Sequence, residues 1–171
     1  MKFARGAPLF GLISLLSLWG CHDNKCGPNN TCHCVGGDEC YFDCGDDCHQ
    51  DCHSLKNCGS VCDNNCSLSC QDVDTCSTSC GNHCSLNCDR TRQCAAICGE
   101  DCVVSCNNLT DCEAHVGPHS QVDCNTLTNC RVACEGDCAV TCQGISACEV
   151  TCADGSPAKV CDDTHRACGA C

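Results

Sequence analysis

The cysteines of this chain are spaced by a rule. From Cys40 onward they recur at steps of four, four, four and six residues, and the step pattern then repeats with a period of 18. The quartets are Cys40-Cys44-Cys48-Cys52, Cys58-Cys62-Cys66-Cys70, Cys76-Cys80-Cys84-Cys88, Cys94-Cys98-Cys102-Cys106 and Cys130-Cys134-Cys138-Cys142. The repeat before the last of these keeps only Cys112 and Cys124, with Val116 and Ser120 at the vacated positions, and a final repeat opens with Cys148 and Cys152. A fixed short period marks a repeat architecture in which each unit buries its face only against its neighbours.

Places in the repeat are numbered here from its first cysteine. Places 9, 11 and 13 read cysteine, apolar, cysteine, with Leu68, Leu86, Val104, Val122 and Val140 at place 11. Alternation with period two puts cysteines and apolar residues on one face of a short strand. Place 16 forms a second ladder: Leu55, Val73, Thr91, Leu109, Leu127 and Ile145. Between places 5 and 9 stand turn residues, as in Gly45-Asp46-Asp47, Asp63-Asn64-Asn65, Gly99-Glu100-Asp101 and Glu135-Gly136-Asp137.

The expected fold is therefore all-β, a small disulfide-rich repeat. Two architectures satisfy the pattern: a short β-solenoid of about 18 residues per coil with its cysteines inside, or a row of disulfide-pinned β-hairpins. The solenoid is favoured because the ladder at place 16 needs an interior. A helix would also align cysteines four apart, but Gly, Asn and Asp at every turn oppose it.

Aromatic residues are 3% of the chain, so no ordinary apolar core is available, whereas 31 of 171 residues are cysteine. The net charge is −13, which excludes nucleic acid as a partner and opposes direct adhesion to anionic membranes. Lys2 and Arg5 precede an apolar run over residues 7–19, too short for a comfortable span and placed as a secretory signal. Export puts the thiols in an oxidising compartment, where they pair.

Two features of the repeat constrain the pairing. The fifth repeat loses places 5 and 9 together, which orphans nothing if 5 bonds 9. The expected pairs are Cys44–Cys48, Cys62–Cys66, Cys80–Cys84, Cys98–Cys102 and Cys134–Cys138. Parity decides the others. With Cys21 set aside, bonding place 13 to place 1 of the next repeat leaves an even set at each end; bonding 1 to 13 within a repeat leaves odd sets about 30 Å apart. This gives Cys52–Cys58, Cys70–Cys76, Cys88–Cys94, Cys106–Cys112, Cys124–Cys130 and Cys142–Cys148, with Cys26, Cys32, Cys34 and Cys40 at the front and Cys152, Cys161, Cys168 and Cys171 at the back left unassigned.

Two resemblances extend this reading. Leu18-Trp19-Gly20-Cys21, following the apolar run, resembles the lipobox of bacterial lipoproteins, with Trp19 where a small residue is usual. The resemblance implies that Cys21 becomes the acylated first mature residue and the lipid bilayer a partner. His22, in place of the Asp that favours inner-membrane retention, implies the outer membrane or cell surface. The alternative is a plain secretory signal cut nearby. The five-residue spacer between bonded cysteines resembles that of beetle antifreeze proteins, which are flat disulfide-filled β-solenoids of shorter period. Ice binding does not follow, because the outward pairs Ser67/Ser69, Ser85/Asn87, Val103/Ser105, Gln121/Asp123 and Ala139/Thr141 form no regular lattice.

Candidate chemistry is sparse. His49 and His53 are four apart, as are His115 and His119, the latter pair beside the Val116-Gly117-Pro118 turn that lost its bridge. His115 and His119 are the candidate metal ligands, against solvated turn histidines as the simpler account. Asp46, Asp47, Asp63, Glu100, Asp101, Glu135 and Asp137 form an acidic turn edge without a calcium-loop pattern. Cys168-Gly169-Ala170-Cys171 lacks the strand–helix setting of a redox enzyme and is expected to close the last coil. No cofactor is implied.

The expected organisation is a signal peptide (1–20), a lipid anchor, tether and front cap (21–39), the repeats (40–152) and a rear cap (153–171). The expected function is non-enzymatic: a membrane-anchored, disulfide-stapled surface lipoprotein with a structural or interaction role, contacting a surface protein or polysaccharide. The alternative is a metal- or ligand-binding surface protein using the acidic edge and His115/His119.

Overall fold

The computed structural model describes residues 25–171. Within them the chain winds as a β-solenoid of about seven coils with about 18 residues per coil and no helix. The front strands are β1 (Lys25–Cys26), β2 (Thr31–Cys44) and β3 (His49–Cys62). Beyond them each coil contributes one short strand to each of two faces. One face stacks β4 (Ser67–Gln71), β6 (Ser85–Asp89), β8 (Val103–Asn107), β10 (Ser120–Asn125) and β12 (Cys138–Gln143). The other stacks β5 (Thr75–Cys80), β7 (Gln93–Cys98), β9 (Asp111–Val116), β11 (Asn129–Cys134) and β13 (Ala147–Thr151).

Strand β3 is long enough to run along both faces, pairing β4 through residues 49–53 and β5 through residues 57–62. All coil-to-coil pairing is parallel and advances by one repeat, as in Leu68↔Leu86 and Cys58↔Cys76. Winding supplies the crossover that parallel neighbours need. Stacking begins ahead of Cys40: Thr31 to Cys34 pair in register with His49 to Cys52. At the rear, β14 (Lys159–Val160) and β15 (His165–Cys168) turn back, and β15 lies antiparallel on β12, covering the open edge of that face.

Left-handed residues make the corners, two in each coil from Cys40 to Asn129. Place 8 holds Asp47, Asn65, His83, Asp101 and His119 at φ 55–60°, and place 15 holds Ser54, Asp72, Arg90, Asn108, Thr126 and Gly144 at φ 51–63°. The Asn and Asp among them tolerate this conformation better than most side chains.

Disulfides staple the two faces together beside both corners. Cys44–Cys48, Cys62–Cys66, Cys80–Cys84 and Cys134–Cys138 join place 5 to place 9. Cys34–Cys40, Cys52–Cys58, Cys70–Cys76, Cys88–Cys94, Cys106–Cys112, Cys124–Cys130 and Cys142–Cys148 join place 13 to place 1 of the next coil. The bridged Cα atoms are 6.1 to 6.5 Å apart. Ordinary packed sheets lie about 10 Å apart, so the slab is too thin at its edges for large side chains, and sulfur fills it. At the ends, Cys26–Cys32, Cys152–Cys168 and Cys161–Cys171 close the set.

The middle of the slab is filled from both faces. Place 11 contributes Leu68, Leu86, Val104, Val122 and Val140, all buried. Opposite, place 3 contributes Phe42, Ser60, Thr78, Ala96, Ala114, Val132 and Val150. Place 3 varies widely in size, from Phe42 through Ser60, Thr78, Ala96 and Ala114 to Val132 and Val150, while place 11 stays Leu or Val from Leu68 onward. The internal void lined by Gln50, Ser60, Leu68, Thr78 and Leu86 measures only about 10 Å³. Gln50 occupies place 11 in its coil, 1% exposed, and its Oε1 accepts a hydrogen bond from Ser60 Oγ.

Candidate functional site

The outer surface of β2, β3, β5, β7, β9 and β11 carries two adjoining hollows. Its central column reads Tyr41, Gly59, Ser77, Ala95, Glu113, Arg131 along paired strands. The small residues leave a trough. One hollow of about 470 Å³ is lined by Glu39, Tyr41, Asn57, Gly59, Thr75, Ser77 and Ile97. A second of about 350 Å³ continues from Thr75 past Gln93, Ala95 and Asp111 to Glu113 and Arg131. The Tyr41 ring lies against Gly59, where an added β-carbon would fall 2.7 Å from its Cδ2. Tyr41, Val61 and Ile97 are 48%, 40% and 59% exposed, so the rim is apolar while the far wall is charged. On the opposite face the outward residues are mixed Ser, Asn, Asp, Gln and Val, without a repeated lattice.

Of the acidic corner residues Asp46 holds coils together, in a ladder that Asn64 and Asn82 continue. At place 7 three successive side chains accept from the next coil's backbone: Asn64 N–H donates to Asp46 Oδ1 at 2.9 Å, Asn82 N–H to Asn64 Oδ1 at 2.9 Å, and Glu100 N–H to Asn82 Oδ1 at 2.9 Å. Pro118 follows at place 7 and has no N–H, so the ladder stops at Glu100. Among the described residues, the groups of three cation-ligand atoms that converge within 4.8 Å consist of cysteines alone, and every one of those cysteines is bridged.

The sequence pairs His115 with His119, but the structure separates them onto different surfaces. His115 lies on the outer face of β9, with Nε2 3.8 Å from Glu113 Oε1. His119 belongs to the corner at place 8, where its Nδ1 is 3.9 Å from Asp101 Oδ1. The other oxygen of the same carboxylate, Asp101 Oδ2, is 3.6 Å from His83 Nε2. A four-residue spacing that crosses from a strand into a corner cannot keep two side chains on one face. His49 and His53 flank Asp51 on the outside of β3; the Asp51 carboxylate meets His33 at 3.4 Å, and His53 meets Asp72 at 4.0 Å. Asp72 is held below the usual carboxylate range by its hydrogen bond from Arg90.

One expected bridge is corrected. Cys98 and Cys102 are buried thiols in hydrogen-bond contact rather than a disulfide. They border the coil that lost its own bridge. There Ser120 replaces a sulfur, and its hydroxyl accepts the Cys102 N–H at 3.1 Å while facing the Gly99 carbonyl, so oxygen takes contacts that a bridge supplies elsewhere. The hydrogen bond between them draws the Cys102 thiol below its usual range, and that contact together with burial pushes Cys98 up.

Cys168 and Cys171 do not pair with each other. Cys168 bonds Cys152 and Cys171 bonds Cys161, so this Cys-x-x-Cys closes the rear cap. The cap turn is fastened by Asp162, whose Oδ1 accepts from the Thr164 and His165 backbone at 2.8 and 2.9 Å and whose Oδ2 meets His165 Nδ1 at 2.7 Å. Those bonds, led by the Thr164 N–H, hold its carboxyl well below the usual range.

Cys21 and the signal-like segment lie outside the described residues. No protein-family model matches the chain, and no curated protein and no solved structure matches it.

Proposed function

We propose that the protein is a non-enzymatic rod, exported and tied to a lipid bilayer through an acylated Cys21, with a structural or interaction role at a bacterial outer membrane or cell surface. The observation that carries the reading is the double row of buried disulfides along both edges of the solenoid, a construction suited to an oxidising compartment. Its length and flatness suit presentation rather than catalysis, and the trough beside Tyr41 and Gly59 is the surface on which a protein or polysaccharide partner would lie. The lipobox-like Leu18-Trp19-Gly20-Cys21 supports the anchor.

Expression of the full chain in a Gram-negative host tests it. The mature N-terminal peptide carries diacylglyceryl mass on Cys21, and Cys21→Ser moves the protein from the membrane to the soluble exported fraction. An unacylated N-terminus and a distribution unaffected by that substitution would overturn the anchored reading.

A further inference from the structure

We infer that His83, Asp101 and His119 form a binding site for a borderline divalent transition ion, of which Zn²⁺ is the representative. The three residues occupy place 8 in three successive coils, each at a left-handed corner with φ 55–60°. Repetition of one backbone conformation carries their side chains along one line of the corner. The Asp101 carboxylate stands between the imidazoles, Oδ2 3.6 Å from His83 Nε2 and Oδ1 3.9 Å from His119 Nδ1.

These separations are longer than hydrogen bonds, and the carboxylate is not consumed by either ring. They are close to the spacing of two donors on one tetrahedral zinc ion, about 3.4 Å for metal–ligand bonds near 2.1 Å. The three ligand atoms do not all lie within 4.8 Å of one another, so both rings must turn toward Asp101 to grip one ion, and with His83, Asp101 and His119 60%, 46% and 67% exposed no neighbour has to yield first. Two imidazoles and one carboxylate select zinc, nickel, cobalt or copper over calcium and magnesium, which take all-oxygen shells. Water completes the coordination.

The surroundings favour a cation. Asp137 continues the column in the next coil, and its carbonyl accepts the His119 N–H. The chain as a whole carries −13, which raises the local cation concentration. The site lies where the regular coil is interrupted: Val116 and Ser120 replace the bridge, and Pro118 ends the place-7 ladder. Metal binding here is independent of the lipid anchor and of the partner surface proposed above.

Calorimetric titration of the oxidised full chain with Zn²⁺ tests the site. One ion binds per chain, and His83→Ala, Asp101→Asn and His119→Ala each weaken binding at least ten-fold while His115→Ala does not. A second reading needs no substitution: substoichiometric Ni²⁺ broadens the ring resonances of His83 and His119 before those of His33, His49, His53 or His115. Absence of saturable binding, insensitivity to the three substitutions, or first broadening at another histidine would overturn the assignment.

Discussion

Gly117 rests directly on Gly99: a β-carbon built on Gly117 would lie 2.6 Å from both the carbonyl carbon and the carbonyl oxygen of Gly99. The Gly117 N–H also donates to the Cys98 and Gly99 carbonyls, each at 3.0 Å. Backbone against backbone has no flexible side chain to yield, so Gly117→Ala forces the corner apart at a cost of about 2 kcal/mol. Gly45 holds the same place in the first quartet's coil, but its added β-carbon meets nothing closer than 4.0 Å. Gly45→Ala is therefore near neutral. Amide hydrogen exchange around each corner reads the difference: faster exchange at residue 117 in the first variant, and no change at residue 45 in the second.

Thr91 is a polar break in an apolar ladder. It is buried with Leu55, Val73, Leu109 and Leu127 at place 16, and its Oγ1 has no hydrogen-bond partner. Thr91→Val keeps the shape and removes the unsatisfied hydroxyl. It is expected to stabilise the coil by about 1 kcal/mol, seen as slower exchange of the surrounding amides. Faster exchange would show that the hydroxyl is satisfied in solution.

The rear cap carries a pH signature. The Asp162 carboxyl titrates below its unfolded value, near 3.9, because the cap turn donates to it. A lowered folded pKa gives stability that is present above the unfolded value and lost only as pH falls through the folded one. The amides of Thr164 and His165 should thus stay protected from pH 7 down through pH 4 and open only in stronger acid. Asp162→Asn should expose them at every pH. Loss of protection with a midpoint in the ordinary carboxylate range would contradict this origin.

Much of the fold is legible because the cysteine period is itself the geometry: one repeat is one coil, and places 5–9 and 13–1 are its two edges. The place-3 column escapes notice because it runs from Phe42 through Ser60 and Thr78 to Val150, a set with no shared chemistry. Front stacking escapes because residues 25–39 hold Cys26 and Cys34 without a full quartet. The His83–Asp101–His119 line was hidden by separation. Its residues are 18 apart, and only the coil rise brings them together, whereas His115 and His119 are near in sequence and apart in space. A signal was present, since all three share place 8. The dithiol at Cys98 and Cys102 carried no such mark, because the quartet around it is complete.

Sulfur bridges across a slab about 6 Å thick at its edges, with only a thin apolar row between them, hold the fold together. Each small loop closure contributes about 2 kcal/mol in the chain-entropy model, and both edges are stapled in most coils. Circular dichroism of the mature protein during heating, before and after complete reduction, tests this most directly. With bridges intact the β signal should persist without a cooperative transition to about 90 °C, and after reduction it should be gone at room temperature. Cooperative melting near 55 °C with every bridge intact, or a β signal unchanged by reduction, would contradict it.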